Sequence, residues 1–390
     1  TAVYYPVKDI WAGGSEFESV CSSHDELVKE LLDNQCDFDF IDDDVLEDEL
    51  TEISDGELLV GPMSYDVVCV SRNRHMSEKS LSKLGRFINS GGKVLWVDST
   101  SFGNRPDGAV ISTLSDLPSR LAPLISLKRP NNNIRACKRV LEEGSIYFIT
   151  NEDTCATSCV IRFNETKPLF RLDPETGESW VPSNALRISG GWEIPIELEF
   201  AGSSVFIFTD EALPTISEPV ISGNVLQTIQ NGWTCRRTKG YVIGEQDIEI
   251  YDFPTATPVN VALGDWRKVT GEAYSGDVEY TVRFETSQNV QKQARVLDLG
   301  DVSYVCKVTL NGESLGKRLW KPFVYDIKGK LKEGQNILKV TVTNTLANQY
   351  VNTKVLDKWT KNQQRPYHGR ALAFEKESVS SGLLGPVTIR

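Results

Sequence analysis

The stretch Val308-Thr309-Leu310-Asn311-Gly312-Glu313-Ser314-Leu315-Gly316 decides the fold of the C-terminal half of the chain. Two β-type runs flank an Asn-Gly pair. A two-residue type I′ turn needs positive φ at both central positions, and Asn-Gly supplies it at least cost, so the pair predicts a tight hairpin. Outward from it, Val278, Tyr280, Val282 and Phe284 alternate with polar residues, as do Leu338, Val340 and Val342. A period of two puts each set on one face of a half-buried strand. Residues 217–390 therefore read as an antiparallel sandwich, best described as a jelly roll.

One stretch breaks the rhythm. From Thr345 to Ser381 there is no clean alternation. Long irregular excursions are uncommon in compact domains and often carry function. Its aromatic residues alternate with Asn, Gln, Lys and Arg, a mix suited to binding rather than to a core. The candidate binding residues, which the resemblance described below implies contact a sugar, are Trp320, Asn348, Tyr350, Asp357, Trp359, Arg365, Tyr367 and His368. The competing reading is that some of them pack the loop onto the sandwich or a neighbouring domain, which aromatics also do well.

Further towards the N-terminus the pattern changes twice. Residues 126–216 hold short β-runs, Ile134–Leu141 and Ser203–Thr209 among them. The turn signal Asp173-Pro174-Glu175-Thr176-Gly177 separates two of these runs. This predicts a small antiparallel sandwich, followed by a linker at Pro214–Pro219. Residues 1–125 alternate strands with helices. Leu27, Val28, Leu31 and Leu32 form one apolar stripe, and Leu81, Leu84 and Ile88 another. Ser77 is the expected N-cap of the second helix, and Gly91-Gly92 its stop. Apolar strands at Ala2–Tyr5, Asp37–Ile41, Glu57–Val60, Asp66–Val70 and Lys93–Val97 predict a parallel sheet covered on both faces.

Composition bounds the function. The 390 residues carry 42 Lys and Arg against 54 Asp and Glu, a formal net charge of -12. Nucleic acid and anionic membrane surfaces, which attract clustered basic residues, are not expected partners. No apolar run reaches the roughly 18 residues of a membrane-spanning helix. The eight Cys read as buried thiols rather than a disulfide framework, which leans towards a reducing compartment but leaves localisation open. Thr1 is followed directly by a strand, so the chain is expected to be cut from something longer.

Catalytic constellations are not evident. Cys69 lies within its own strand rather than on an elbow, and His75 reads as a solvated loop residue, which argues against an amidotransferase centre. The run Asp42-Asp43-Asp44 with Glu47-Asp48-Glu49 reads as a solvated acidic loop, not as the spaced carboxyl pair of a glycosidase. No cofactor is expected. A structural calcium ion is possible, although the acidic run lacks the spacing of a known calcium loop.

The segments Leu297–Val302, Val308–Gly316, Trp320–Phe323, Leu331–Leu338, Val342–Asn344 and Gly382–Val387, in this order, resemble a galactose-binding-like jelly roll. That domain type accompanies many glycoside hydrolases. The first domain resembles the flavodoxin/amidotransferase-like α/β domain that follows the catalytic barrel in several glycosidases. Leu172–Glu178 resembles part of the small sandwich found next. The whole order is similar to the C-terminal accessory region of glycoside hydrolase family 106, the α-L-rhamnosidase-like proteins. One departure is Leu346-Ala347, where the pattern would place an aromatic or Pro before Asn348. The resemblance implies carbohydrate as ligand, and as partner an N-terminal catalytic domain whose carboxylates lie outside this chain. An independent carbohydrate-binding or adhesin-like module is the alternative.

Overall fold

The structure, a computed structural model, describes residues 1–97, 104–219, 223–244, 247–353 and 379–390. The chain divides into two compact units, Thr1–Ile216 and Ser217–Arg390. Each is described by itself.

The second unit is two large antiparallel sheets around one core, with a further two-stranded antiparallel pair, Asp301–Ser303 and Gly382–Gly385. The larger runs in the order Ile248–Asp252, Thr234–Ile243, Gly276–Thr286, Gly334–Thr343, Val305–Leu310, Glu313–Arg318, with Val259–Asn260 also paired to Thr234–Ile243. The smaller orders Gln227–Thr228, Thr388–Ile389, Val296–Asp298 and Val324–Asp326. The alternating residues do what their period requires. Val278, Tyr280, Val282, Leu338, Val340 and Val342 are buried against Leu297, Tyr325 and Ile389, while Trp233 and Trp266 fill the space between. Each fully buried aliphatic side chain contributes up to about 1.5–3 kcal/mol. At the expected hairpin, Asn311 has φ 54° and Gly312 φ 88°. The Asn311 side chain also donates to the Lys330 carbonyl at 3.1 Å and accepts from the Ile337 N–H at 3.0 Å, so it fixes the turn to the neighbouring strand.

The first unit begins with a five-stranded sheet in which every neighbouring pair is parallel. The order is Asp39–Ile41, Ala2–Tyr4, Val67–Val70, Lys93–Val97, Val110–Ser112. Successive side chains point to opposite faces. Tyr4, Val68, Val70 and Trp96 pack with Leu84 and Phe87 of the helix Glu78–Asn89. Val3, Val67, Cys69 and Leu95 pack with Leu27 and Leu31 of the helix Phe17–Asp33. Ser77 caps the former helix, accepting from the Ser80 N–H at 3.0 Å. Glu57–Val60 departs from expectation: it pairs antiparallel with Thr51–Ser54 and Met63–Tyr65 in a small separate sheet. The 10 residues from Thr51 to Val60 close on themselves through Asp55 (φ 50°) and Gly56 (φ 80°), a hairpin turn that outcompetes pairing with the large sheet.

Further along the same unit lie two antiparallel sheets, one of five strands within 134–209 and one of four within 125–198. Their shared core is aromatic, with Phe163 at 5.0–5.2 Å, centroid to centroid, from Tyr147, Phe206 and Phe208. Gln35 ties this part to the parallel sheet's helix, its Nε2 donating to the carbonyls of Ile134 (2.9 Å) and Asn131 (3.3 Å). Asp33 pairs with Arg135 at 3.0 Å.

The acidic run is only partly the solvated loop expected: Asp44, Glu47, Asp48 and Glu49 are exposed, whereas Asp42 and Asp43 are drawn into the structure. Asp42 is the N-cap of a short helix, Asp43–Glu47, and accepts from the Val45 N–H at 3.0 Å. Asp43 is fully buried. It accepts from Tyr4 Oη at 3.1 Å and from the Ser77 N–H at 3.1 Å, and pairs with Lys8 Nζ at 3.0 Å. Burial by itself would raise this carboxyl's pKa. Hydrogen bonds from Ser80, Ser77 and Lys8, with the Lys8 charge, outweigh burial and hold it below the usual carboxylate range. All eight Cys are free thiols, but only Cys36, Cys69, Cys235 and Cys306 are buried as expected; Cys21, Cys137 and Cys159 are half-buried and Cys155 is exposed.

Candidate carbohydrate site of the second unit

The site is built from two backbone approaches at one edge of the sandwich. Asp301–Ser303 runs antiparallel to Gly382–Gly385. Gly300 sits at φ 65°, and a Cβ there would meet the carbonyl group of Gly385 at 2.5 Å. Only glycine allows this contact, which explains why the Gly300 and Gly385 segments both stood out in the sequence.

At the Asp301 end, the loop after Glu313–Arg318 presents Trp320, 45% exposed. Two neighbours hold the loop. Phe323 is buried in the core, its carbonyl accepting from the Leu299 N–H at 3.1 Å. Lys321 forms an ion pair with Asp301. Tyr304, 37% exposed, lies just beyond the same strand and donates its N–H to the Thr343 carbonyl at 3.1 Å. A large ring on a loop anchored from both sides can stack on a sugar without ordering the loop first.

At the Ser303–Gly382 end, a buried polar network closes the base of the Thr345–Ser381 excursion. Asn344 Nδ2 donates to the Tyr274 carbonyl (3.0 Å), Asn348 Oδ1 (3.1 Å) and Ser381 Oγ (3.0 Å), and its Oδ1 accepts from the Gly276 N–H at 2.9 Å. Asn348 Nδ2 donates to the carbonyls of Val379 (3.1 Å) and Glu272 (3.4 Å). Ser381 Oγ lies 3.2 Å from Asn348 Oδ1. Gln349 accepts from the Ile243 N–H at 3.0 Å and donates to the Tyr241 carbonyl. The short helix Ala347–Asn352 thereby docks onto the sheet through polar side chains rather than an apolar face.

This places the sequence candidates. Asn348 is fully buried with both ends of its amide engaged, so it acts here as a structural clamp. An Asn in an irregular stretch looks the same in sequence whether it faces a ligand or closes a loop. Tyr350 lies on the same helix, half-buried. Trp320 is exposed. Asp357, Trp359, Arg365, Tyr367 and His368 lie outside the described residues. The clamp partners Asn344 and Ser381 were not singled out by sequence reasoning. The only signal was the Asn-x-x-x-Asn spacing of 344 and 348 at the foot of a helix. Among the described residues, no three His, Cys, Asp or Glu gather into a metal site, and no helix is long and apolar enough to cross a membrane.

Comparison with known proteins bears on this edge of the sandwich. Residues 267–377 match the family model described as Glycosyl hydrolase 2 galactose-binding domain-like. The chain is related to glycoside hydrolases. A curated relative from Formosa agariphila, named "Putative beta-glucuronidase", is 31% identical over 206 residues, which cover 45% of this chain and 17% of that protein. The solved rhamnosidase from Novosphingobium sp. PP1Y shares the fold with a TM-score of 0.61 at 19% identity, covering 90% of this chain and 36% of its own. A β-glucuronidase from an uncultured Clostridium sp. aligns over 33% of this chain and 24% of its own, at 22% identity and a TM-score of 0.25. The chain thus spans about a sixth of the curated relative and about a third of the rhamnosidase.

Proposed function

We propose that this chain is the non-catalytic, carbohydrate-binding accessory region of a glycoside hydrolase of the α-L-rhamnosidase-like family 106, whose catalytic barrel lies outside it. The division is an α/β domain over 1–125, a small sandwich over 126–216 and a galactose-binding-like jelly roll over 217–390. The observation that carries the reading is the galactose-binding-like match at 267–377, falling on a two-sheet sandwich that displays Trp320 on an anchored loop. The likeness of fold to a rhamnosidase over 90% of this chain supports the family, and the remaining 64% of that protein leaves room for the barrel. Glycosidic cleavage needs two carboxyl groups at a set separation about the scissile bond. In this reading they belong to the barrel, and the chain supplies affinity and scaffolding.

The test is turnover. The purified chain, offered aryl-α-L-rhamnosides and aryl-β-glucuronides, is expected to release no more phenol than a mock-purified control. Release above that control, abolished by replacing a carboxylate within residues 1–390, would overturn the proposal.

A further inference from the structure

A cleft of about 770 Å³ lies in the first unit between the helix Glu78–Asn89 and residues 46–53. Its helix wall is basic. Lys79, Lys83 and Arg86 recur at the four- and three-residue spacing that puts side chains on one helix face. The facing wall is acidic, with Glu47, Glu49 and Glu52.

Walls of opposite charge would pair across the cleft, and these do so only in part. Lys79 Nζ lies 3.8 Å from Glu47. Among the described residues, Lys83 and Arg86 form no ion pair, and the Arg86 guanidinium makes no hydrogen bond. Lys83 is the unusual member. It is only 7% exposed, and its Nζ donates to the Asp48 carbonyl at 2.7 Å. An ammonium carries three donors, so one neutral carbonyl leaves two of them open. Burying a charge is costly unless a group of opposite sign accompanies it. Burial, and after it the charge of Arg86 three residues on, push this ammonium below the usual lysine range. Two adjacent cations, one of them buried, relieve their mutual repulsion by sharing an anion. The acidic wall constrains the rest of the ligand. Its three carboxylates repel a multiply charged anion and accept from hydroxyl or ammonium donors.

We propose that this cleft binds a small monocarboxylate whose remainder donates hydrogen bonds. The carboxylate lies between Lys83 and Arg86, and hydroxyl or ammonium groups of the ligand reach Glu47, Glu49 and Glu52. A guanidinium can hold a carboxylate through two parallel hydrogen bonds, which fixes its orientation. A uronate and a free α-amino acid share this chemistry. The site belongs to a different unit from Trp320 and stands independently of the sugar contact proposed there.

The experiment is saturation-transfer NMR on the full chain, titrated separately with glucuronate, alanine and glucose. Glucuronate or alanine is expected to bind saturably, and which of them does so identifies the source of the carboxylate. Arg86→Gln, at an exposed position, is expected to weaken that binding roughly tenfold, the loss of a charge-assisted contact. Lys83→Met is expected to abolish it, and Trp320→Ala to leave it unchanged. Glucose, which has donors but no carboxylate, is expected to show no Arg86-dependent transfer. Failure of both glucuronate and alanine to saturate, a titration that Arg86→Gln leaves intact, or an equal Arg86 dependence for glucose overturns the inference. Glucuronate binding that is lost on Trp320→Ala but kept on Arg86→Gln would also overturn it, while leaving the proposed function standing.

Discussion

Replacing Asn348 with Ala tests the clamp at the base of the excursion. The substitution removes two hydrogen bonds of good length, to Val379 and Asn344 at 3.1 Å, and two longer ones, to Ser381 at 3.2 Å and Glu272 at 3.4 Å. At about 1 kcal/mol net for each good bond and less for the others, the direct loss is about 2–3 kcal/mol. The orphan penalty is limited, because Asn344 keeps the Tyr274 carbonyl and Val379 keeps the Ser381 hydroxyl. The expected total is about 3 kcal/mol, or a fall in melting temperature of about 6–12 °C for a unit of this size. Since several units unfold in one chain, a single global midpoint is ambiguous. Hydrogen exchange read by mass spectrometry resolves it. Peptides covering Ala347–Asn352 and Gly276–Thr286 are expected to lose protection, and those covering Val67–Val70 to keep theirs. Unchanged exchange at Ala347–Asn352 would refute the claim that this side chain holds the helix to the sheet.

Three further outcomes follow from named contacts. Asp43→Asn puts an amide N–H against Tyr4 Oη and Lys8 Nζ in a fully buried site, with an expected loss of about 2–4 kcal/mol at neutral pH by urea unfolding. Because the Asp43 carboxyl is held below its ordinary pKa in the folded state, its stabilisation is present above about pH 4 and lost as pH falls through the folded value, so the gap between wild type and variant should close in acid. Gly300→Ala, at φ 65° with a Cβ 2.5 Å from the Gly385 carbonyl group, should cost about 2–4 kcal/mol by the same assay. Trp320→Ala should weaken glycan binding by about 1 kcal/mol, roughly fivefold by titration calorimetry, with melting unchanged.

Sequence reading succeeded where a local pattern meets a single buried face. Val278, Tyr280 and Val282 could only be one side of a strand, and Asn311-Gly312 could only be a tight turn. The helix Phe17–Asp33 was read from its second half alone, because Glu18, Ser22 and Ser23 mask the apolar stripe that Leu27 and Leu31 make plain. What local pattern cannot carry is a polar contact made across long chain separations. Asp43 was taken for a solvated carboxylate because its partners Tyr4 and Lys8 lie 39 and 35 residues away. His75, read as a solvated loop residue, is half-exposed in a loop, and only its contact with Asp9, 66 residues earlier, escapes local pattern for the same reason. Asn348 was assigned to a ligand because Val379 and Ser381, which it clamps, follow 31 and 33 residues later. Trp320 is exposed on its loop, and a sugar contact there is a proposal that binding measurements decide.

Saturation-transfer NMR on a rhamnose- or glucuronate-bearing oligosaccharide mixed with this chain tests the central claim most directly, since one spectrum reports both binding and cleavage. The account predicts saturation transfer to the sugar ring protons, reduced by Trp320→Ala, with no new free reducing-end signals as the sample ages. Reducing-end signals that grow with time and vanish when a carboxylate of this chain is replaced would contradict it, as would the absence of saturation transfer to every sugar offered.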